Sequence, residues 1–179
     1  MKDTRKLILY IAMSLDGFIA KPDGDISFLT SVEKEGEDYG YSKFMESVDT
    51  IILGRKTFDK ILAMGYELPY GNRPVYVVTR SSKSDSGTIM YYSGNLTDLI
   101  SSLKSLEGKN IYCDGGAEIV HQLLKYDLID ELIISIIPVL LGDGISLFKD
   151  GLQEKKLQIM SAKSFEKGLV QLHYIRVLD

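Results

Sequence analysis

Apolar positions in this chain switch between unbroken short runs and a three-and-four spacing, and the alternation repeats. Leu7 to Leu15 is apolar on both sides, as expected of a strand covered on both faces. Thr50–Leu53, Val75–Thr79, Ile89–Tyr92 and Asn110–Cys113 read as further short strands. Helical periodicity follows three of them: Phe58 to Met64, Thr97 to Leu106 with Leu99, Ile100 and Leu103 on one face, and a segment marked by Ile119, Leu123 and Leu124 that ends near Tyr126. Before them, Tyr41, Phe44, Met45 and Val48 predict a helix over Asp38–Val48, ended by Asp49.

Beyond Asp130 the rhythm becomes strand-like. Leu132–Val139 is one strand, and Lys156–Phe165 and Leu169–Leu178 pair across Glu166-Lys-Gly168. The pattern predicts a single α/β domain over residues 1–179, with a mixed, mostly parallel sheet, helices on both faces and antiparallel C-terminal strands.

Composition narrows the functional classes. At 45% hydrophobic and 26% charged residues, the chain is an ordinary globular sequence. Its longest apolar run, Leu132 to Leu141, is interrupted by Ser135 and Pro138 and is shorter than the roughly 20 residues of a membrane span. The charged Met1–Lys6 start leads into Leu7–Met13 without a signal-cleavage pattern. A lone Cys113 and two distant histidines, His121 and His173, give no disulfide and poor zinc-site material. A cytoplasmic protein is expected, with no membrane association and no structural metal. Its net charge of −4 argues against nucleic acid as a partner, so an anionic ligand needs a local site.

Three segments just past strands could form such a site. Gly54-Arg55-Lys56-Thr57 joins a glycine, two cations and a hydroxyl at a helix start, a composition suited to phosphate or simply to a capped helix with solvated charges. Thr79-Arg80 with Ser81 and Ser82 could serve a second phosphate or be only a loop. Asp114-Gly115-Gly116 could hold backbone against a pyrophosphate or merely turn tightly. The usual dinucleotide fingerprint is absent, since Leu147 stands where the third glycine after Gly142 and Gly144 would fall, and no phosphate loop or Gly-x-Ser-x-Gly elbow occurs. Candidate acids are Asp16, also a turn former, and Asp38 and Glu118, both also first-turn helix acids.

Ala12–Ala20 (AMSLDGFIA), Ile51–Phe58 (IILGRKTF), Asp114-Gly-Gly116 and Pro138–Phe148 (PVLLGDGISLF), in this order, resemble the dihydrofolate reductase superfamily. Within it they are similar to the branch of the reductase domain of the bifunctional riboflavin biosynthesis protein. The resemblance spans nearly the whole chain and implies a dihydrofolate reductase-like three-layer α/β/α fold with NADPH as hydride donor. By matching positions, Ala12 and Ile19 flank the nicotinamide, and Gly54, Arg55, Lys56 and Thr57 hold phosphates. Thr79 and Arg80 take the adenosine 2′-phosphate, and Gly115, Gly116 and Glu118 lie along the diphosphate.

Asp38 falls where dihydrofolate reductases place their active-site acid, which makes it, or a water beside it, the expected proton source. Tyr10, Asp16 and Asp114 are the expected substrate contacts. Tyr10 stands where riboflavin-type reductases usually carry lysine, and Asp114 where they carry glutamate. The deaminase motifs of the bifunctional enzyme do not occur in these residues. The expected activity is NADPH-dependent reduction of a small pterin-like or ribosylaminopyrimidine-like molecule. The alternative is a non-catalytic NADPH-binding redox sensor on the same fold. The apolar 132–141 stretch and antiparallel tail suggest a possible homodimer.

Overall fold

A computed structural model describes residues 5–65 and 67–177, so the Met1–Thr4 start and the predicted strand end at Leu178 lie outside the described residues. Strand β1 (Leu7–Ser14) runs through the middle of an eight-stranded sheet. On one side it pairs in parallel with β6 (Asn110–Gly115), which pairs with β3 (Val48–Gly54), followed by β4 (Val75–Val78) and β5 (Ile89–Tyr92), all parallel. On the other it pairs in parallel with β7 (Glu131–Ile137). The antiparallel hairpin of β10 (Val170–Arg176) and β9 (Leu157–Ser164) then closes that side. The order is β5-β4-β3-β6-β1-β7-β10-β9, and β2 (Phe18–Ala20) pairs separately with β8 (Ile145–Ser146).

Strand alternation sends residues to two cores. Ile8, Ile51, Leu53, Val75 and Val77 pack with Phe44 and Met45 of α1 (Tyr41–Glu46) and Phe58 of α2 (Arg55–Ala63). Leu7, Leu9, Ile52, Ile111 and Cys113 pack on the opposite face beneath α3 (Leu96–Ser105) and α4 (Ala117–Lys125). This is the expected three-layer α/β/α arrangement. Among the described residues no helix is long and apolar enough to cross a membrane.

Three expectations change. The helix predicted over Asp38–Val48 is only Tyr41–Glu46: Gly40 precedes it in the left-handed region (φ 84°), and Val48 and Asp49 belong to β3, where Val48 is fully buried opposite Asn110. A 3-10 segment, Ser27–Val32, arises without a periodic signal, and its Phe28 and Val32 pack against Ile137 and Leu169. β7 stops at Ile137 rather than Val139, because Pro138 has no N–H for the ladder.

At the amino edge of the sheet the buried Arg5 fastens several elements at once. Its guanidinium donates to Lys109 O (2.6 Å), Leu103 O (3.0 Å) and Thr50 Oγ1 (2.7 Å), and pairs with Asp49. Each partner sits at the start or end of a neighbouring element, so one charged side chain ties β1, β3, α3 and β6 together.

Candidate functional site

Parallel pairing of β3 and β6 brings their carboxyl ends, and the helices that follow, to the same edge. Gly54 leads β3 directly into α2, so Arg55, Lys56 and Thr57 form that helix's first turn rather than a loop before it. Gly115 and Gly116 lead β6 into α4. The backbone is tight here: a Cβ on Gly116 would lie 2.8 Å from Thr57 Oγ1, and one on Gly115 (φ 103°) 3.2 Å from Ile11 Cδ1. Gly116 N–H donates to Thr57 Oγ1 at 2.8 Å. A Cβ on Gly54 would meet Gly115 O at 3.8 Å. With no side chain at these glycines, two helix amino termini can face a ligand at close range.

Cations gather beside them. Lys149 forms an ion pair with Glu118 of α4, and Lys149, Lys56 and Arg80 together hold the Glu118 carboxyl below the usual carboxylate range. Three positive groups around one acid leave a local positive excess on a molecule of net negative charge. Thr79 continues from β4, its N–H donating to Tyr92 O (2.9 Å), and its hydroxyl accepts from Ser81 N–H (3.3 Å). Arg55 turns along its own helix, with Nε 2.6 Å from Asp59 Oδ1 and the guanidinium 5.8 Å from the Tyr91 ring centre.

On the other side of β6, the ends of β1 and β7 floor a cleft of about 620 Å3. Tyr10, Ala12 and Ser135 rise from the sheet, Leu29 and Val32 come from the 3-10 segment, and Asp38 and Tyr41 stand at the start of α1. Tyr10 is held in place: its ring stacks on Phe44 (4.6 Å between centroids), and its hydroxyl donates to Tyr39 O (3.1 Å) and accepts from Gln171 Nε2 (3.1 Å). Burial pushes its phenol pKa up, so it stays neutral.

Asp38 serves both readings of the sequence. Its oxygens accept from Gly40 N–H and Ser42 N–H, both at 2.9 Å, capping α1, and it also faces the cleft. Hydrogen bonding from Ser42 holds the carboxyl below its ordinary value, so it is a carboxylate at neutral pH.

Two expected substrate contacts lie elsewhere. Asp16 is 2.5 Å from Ser14 Oγ and accepts from Leu141 N–H (3.1 Å) and Gly142 N–H (2.7 Å). It fastens the β1–β2 turn to the loop after β7 and does not line the cleft, because both oxygens are already engaged. Asp114 also stays out of the cleft lining. On β6 it shares a face with Tyr112, and the hydroxyls of Tyr112 and the buried Tyr70 donate to its two oxygens. Ile19, by contrast, lies near the glycine cradle, with Cδ1 3.9 Å from a Cβ placed on Gly116.

Desolvation pushes the Asp114 carboxyl up, and the two tyrosine hydroxyls only partly offset it. A carboxyl whose folded pKa is raised contributes stability below its unfolded pKa and loses it as pH rises through the folded value. Asp114→Asn is therefore expected to gain stability relative to the parent between about pH 3 and pH 7, compared by urea midpoints at constant salt. A difference that shrinks or reverses with rising pH would contradict that environment.

Sequence reasoning missed Lys149, Ser135, Gln171, Tyr39, Tyr70 and Tyr112. Lys149 follows the PVLLGDGISLF motif directly, a position that could have flagged it. The others sit on strands and loops with no local signature and reach the site only through sheet order.

Residues 5–171 match the family model described as RibD C-terminal domain. The Bacillus subtilis (strain 168) protein YwjB is 44% identical over 173 residues, covering 96% of this chain and 98% of that protein. Among solved structures, the Thermotoga maritima diaminohydroxyphosphoribosylaminopyrimidine deaminase/5-amino-6-(5-phosphoribosylamino)uracil reductase has a TM-score of 0.75 at 14% identity, over 98% of this chain and 58% of that one. Dihydrofolate reductase from Enterococcus faecalis, complexed with NADP(H) and RAB-propyl, has a TM-score of 0.67 at 19% identity, over 96% of both chains. The fold is dihydrofolate reductase-like.

Proposed function

We propose that this chain, which belongs to the RibD C-terminal domain family, is an NADPH-dependent reductase of a small, planar, pterin-like or ribosylaminopyrimidine-like molecule. The observation that carries the reading is the junction of two sites along one sheet edge. A glycine-lined pair of helix amino termini with Lys56, Arg80 and Lys149 lies on the β3–β6 side, and a cleft for a small molecule lies on the β1–β7 side.

The residues fit the cofactor. Gly54, Arg55, Lys56 and Thr57 would hold phosphates at α2, while Gly115, Gly116 and Glu118 would line the diphosphate at α4. Thr79 and Arg80 would take the 2′-phosphate. Ala12 and Ile19 would flank the nicotinamide. When bound, NADPH supplies a hydride for the carbon of a C=N or C=O bond. The chain itself supplies orientation and a proton route. Asp38, already ionised, orients a water or a ring N–H and lets a solvent proton reach the substrate heteroatom. The neutral Tyr10 hydroxyl fixes the far wall.

The test follows reduced-nicotinamide absorbance with a panel of pterin-like and ribosylaminopyrimidine-like compounds, alongside direct NADPH titration. Turnover of at least one ring class is expected. The Tyr10 substitution and the low Asp38 pKa favour the second reading, a redox sensor without turnover. Tight NADPH binding with no oxidation across the panel would select the sensor, and absence of NADPH binding would defeat both.

A further inference from the structure

Resting on the reductase reading, we infer that the cleft accepts rings whose substituents are neutral or cationic and rejects their phosphate-bearing counterparts. The edge that carries both sites is electrically divided. Cations collect on the β3–β4–β6 side, whereas one strip bordering the cleft carries a run of carboxylates.

Between the 3-10 segment and α1, Glu33, Glu35, Glu37 and Asp38 all line the cleft. The same strip contributes the one cation among the described lining residues, Lys34, and that lysine is already ion-paired with Glu166 of the β9–β10 turn. Two of the acids are held where they stand. Glu37 accepts from Tyr39 N–H (2.8 Å), and Asp38 accepts from two backbone N–H groups. Below this rim the walls are aliphatic and tyrosine side chains, suited to a planar ring but offering no guanidinium or ammonium to an anionic tail.

A substituent leaving the ring past the 33–38 strip meets these carboxylates. Repulsion of a doubly charged phosphate by several like charges within a Debye length is cumulative, and a cationic tail gains by the same sum. The Thermotoga reductase is named for a phosphoribosylamino substrate. The acidic strip sets this chain's preference apart from such a tail.

The field can be measured without knowing the substrate. Leu29→Cys, or Tyr41→Cys at the start of α1 should the first misfold, places a thiol in the cleft. The native Cys113 is buried and its thiol is pushed up to about 12, so it stays silent. Modification rates with cationic (trimethylammonium-ethyl) and anionic (sulfonatoethyl) methanethiosulfonates are then compared, each normalised to a free thiol. The expected cation-to-anion ratio is on the order of tenfold at low salt, collapsing toward one in high salt or after Glu33→Gln/Glu35→Gln/Glu37→Gln. A ratio near one at low salt, or a faster anionic reagent, would overturn the proposal.

A ligand pair supplies the second arm: 6-hydroxymethylpterin and its phosphate ester, titrated onto the NADP+-loaded protein. The ester is expected to bind at least about tenfold more weakly, with the gap closing in the triple variant. Equal or tighter ester binding overturns the charge rule. Binding of neither overturns the pterin-like ring of the proposed reaction, while the thiol ratio still decides the charge rule on its own.

Discussion

Arg80→Ala is expected to weaken NADPH binding by roughly 10- to 150-fold while changing NADH affinity by less than about threefold, because one charge-assisted phosphate contact is worth about 1.5–3 kcal/mol. Arg80 lies close enough to Glu118 to act on its carboxyl together with Lys149 and Lys56, yet it follows a different strand. Removing it leaves the α2 and α4 termini intact, so the diphosphate keeps its partners and only the 2′-phosphate loses one. Arg55→Ala is expected to cost less, since that guanidinium is already paired with Asp59 and leans on Tyr91. Fluorescence titration of both cofactors reads the difference. Equal losses for NADPH and NADH would contradict the role given to Arg80.

The largest effect on stability is expected from Arg5→Leu, at the opposite edge of the sheet. The substitution leaves the Asp49 carboxylate, the Thr50 hydroxyl and the carbonyls of Leu103 and Lys109 without the donor that joins them. Asp49 is 37% exposed and keeps the Lys109 N–H, so the cost falls chiefly on the buried Leu103 carbonyl and Thr50 hydroxyl and is on the order of 3 kcal/mol, still more than an exposed ion pair such as Lys21–Asp25 could contribute. A fall in Tm on the order of 10 °C follows for a domain of this size. Cofactor affinity of the folded fraction should not change, because Arg5 lies at the amino ends of strands whose carboxyl ends build the site. A loss below about 1 kcal/mol by urea unfolding would show the network to be dispensable.

The parallel core was legible because its strands are buried on both faces and read as short apolar runs. Leu7–Ser14 falls where the pattern puts it, and so does Ile89–Tyr92, although that run is a half-buried edge strand. Helix α1 was not, because Val48 continues a helical spacing by coincidence while its backbone is taken by the β3–β6 ladder. The 3-10 segment carries no period at all, and it is held by Phe28 and Val32 meeting residues far along the chain.

The site divides in the same way. Gly54–Thr57 and Gly115–Gly116 announce themselves because glycine beside a helix start is a local requirement. The fates of Asp16 and Asp114 are tertiary. Leu141 and Gly142 amides claim one, Tyr70 and Tyr112 hydroxyls the other, and no spacing around either aspartate points to those partners. Of the acidic strip 33–38 the sequence singled out only Asp38, because nothing local shows that Glu33, Glu35 and Glu37 border the same cleft.

A crystal structure of this chain grown with NADP+ decides whether the two glycine-lined helix starts seat the cofactor. The diphosphate is expected against the first turns of α2 and α4, the 2′-phosphate on Thr79 and Arg80, and the nicotinamide between Ala12 and Ile19, facing the cleft. A dinucleotide seated away from Gly115–Gly116, or phosphates with no contact to Lys56 or Arg80, would contradict that placement.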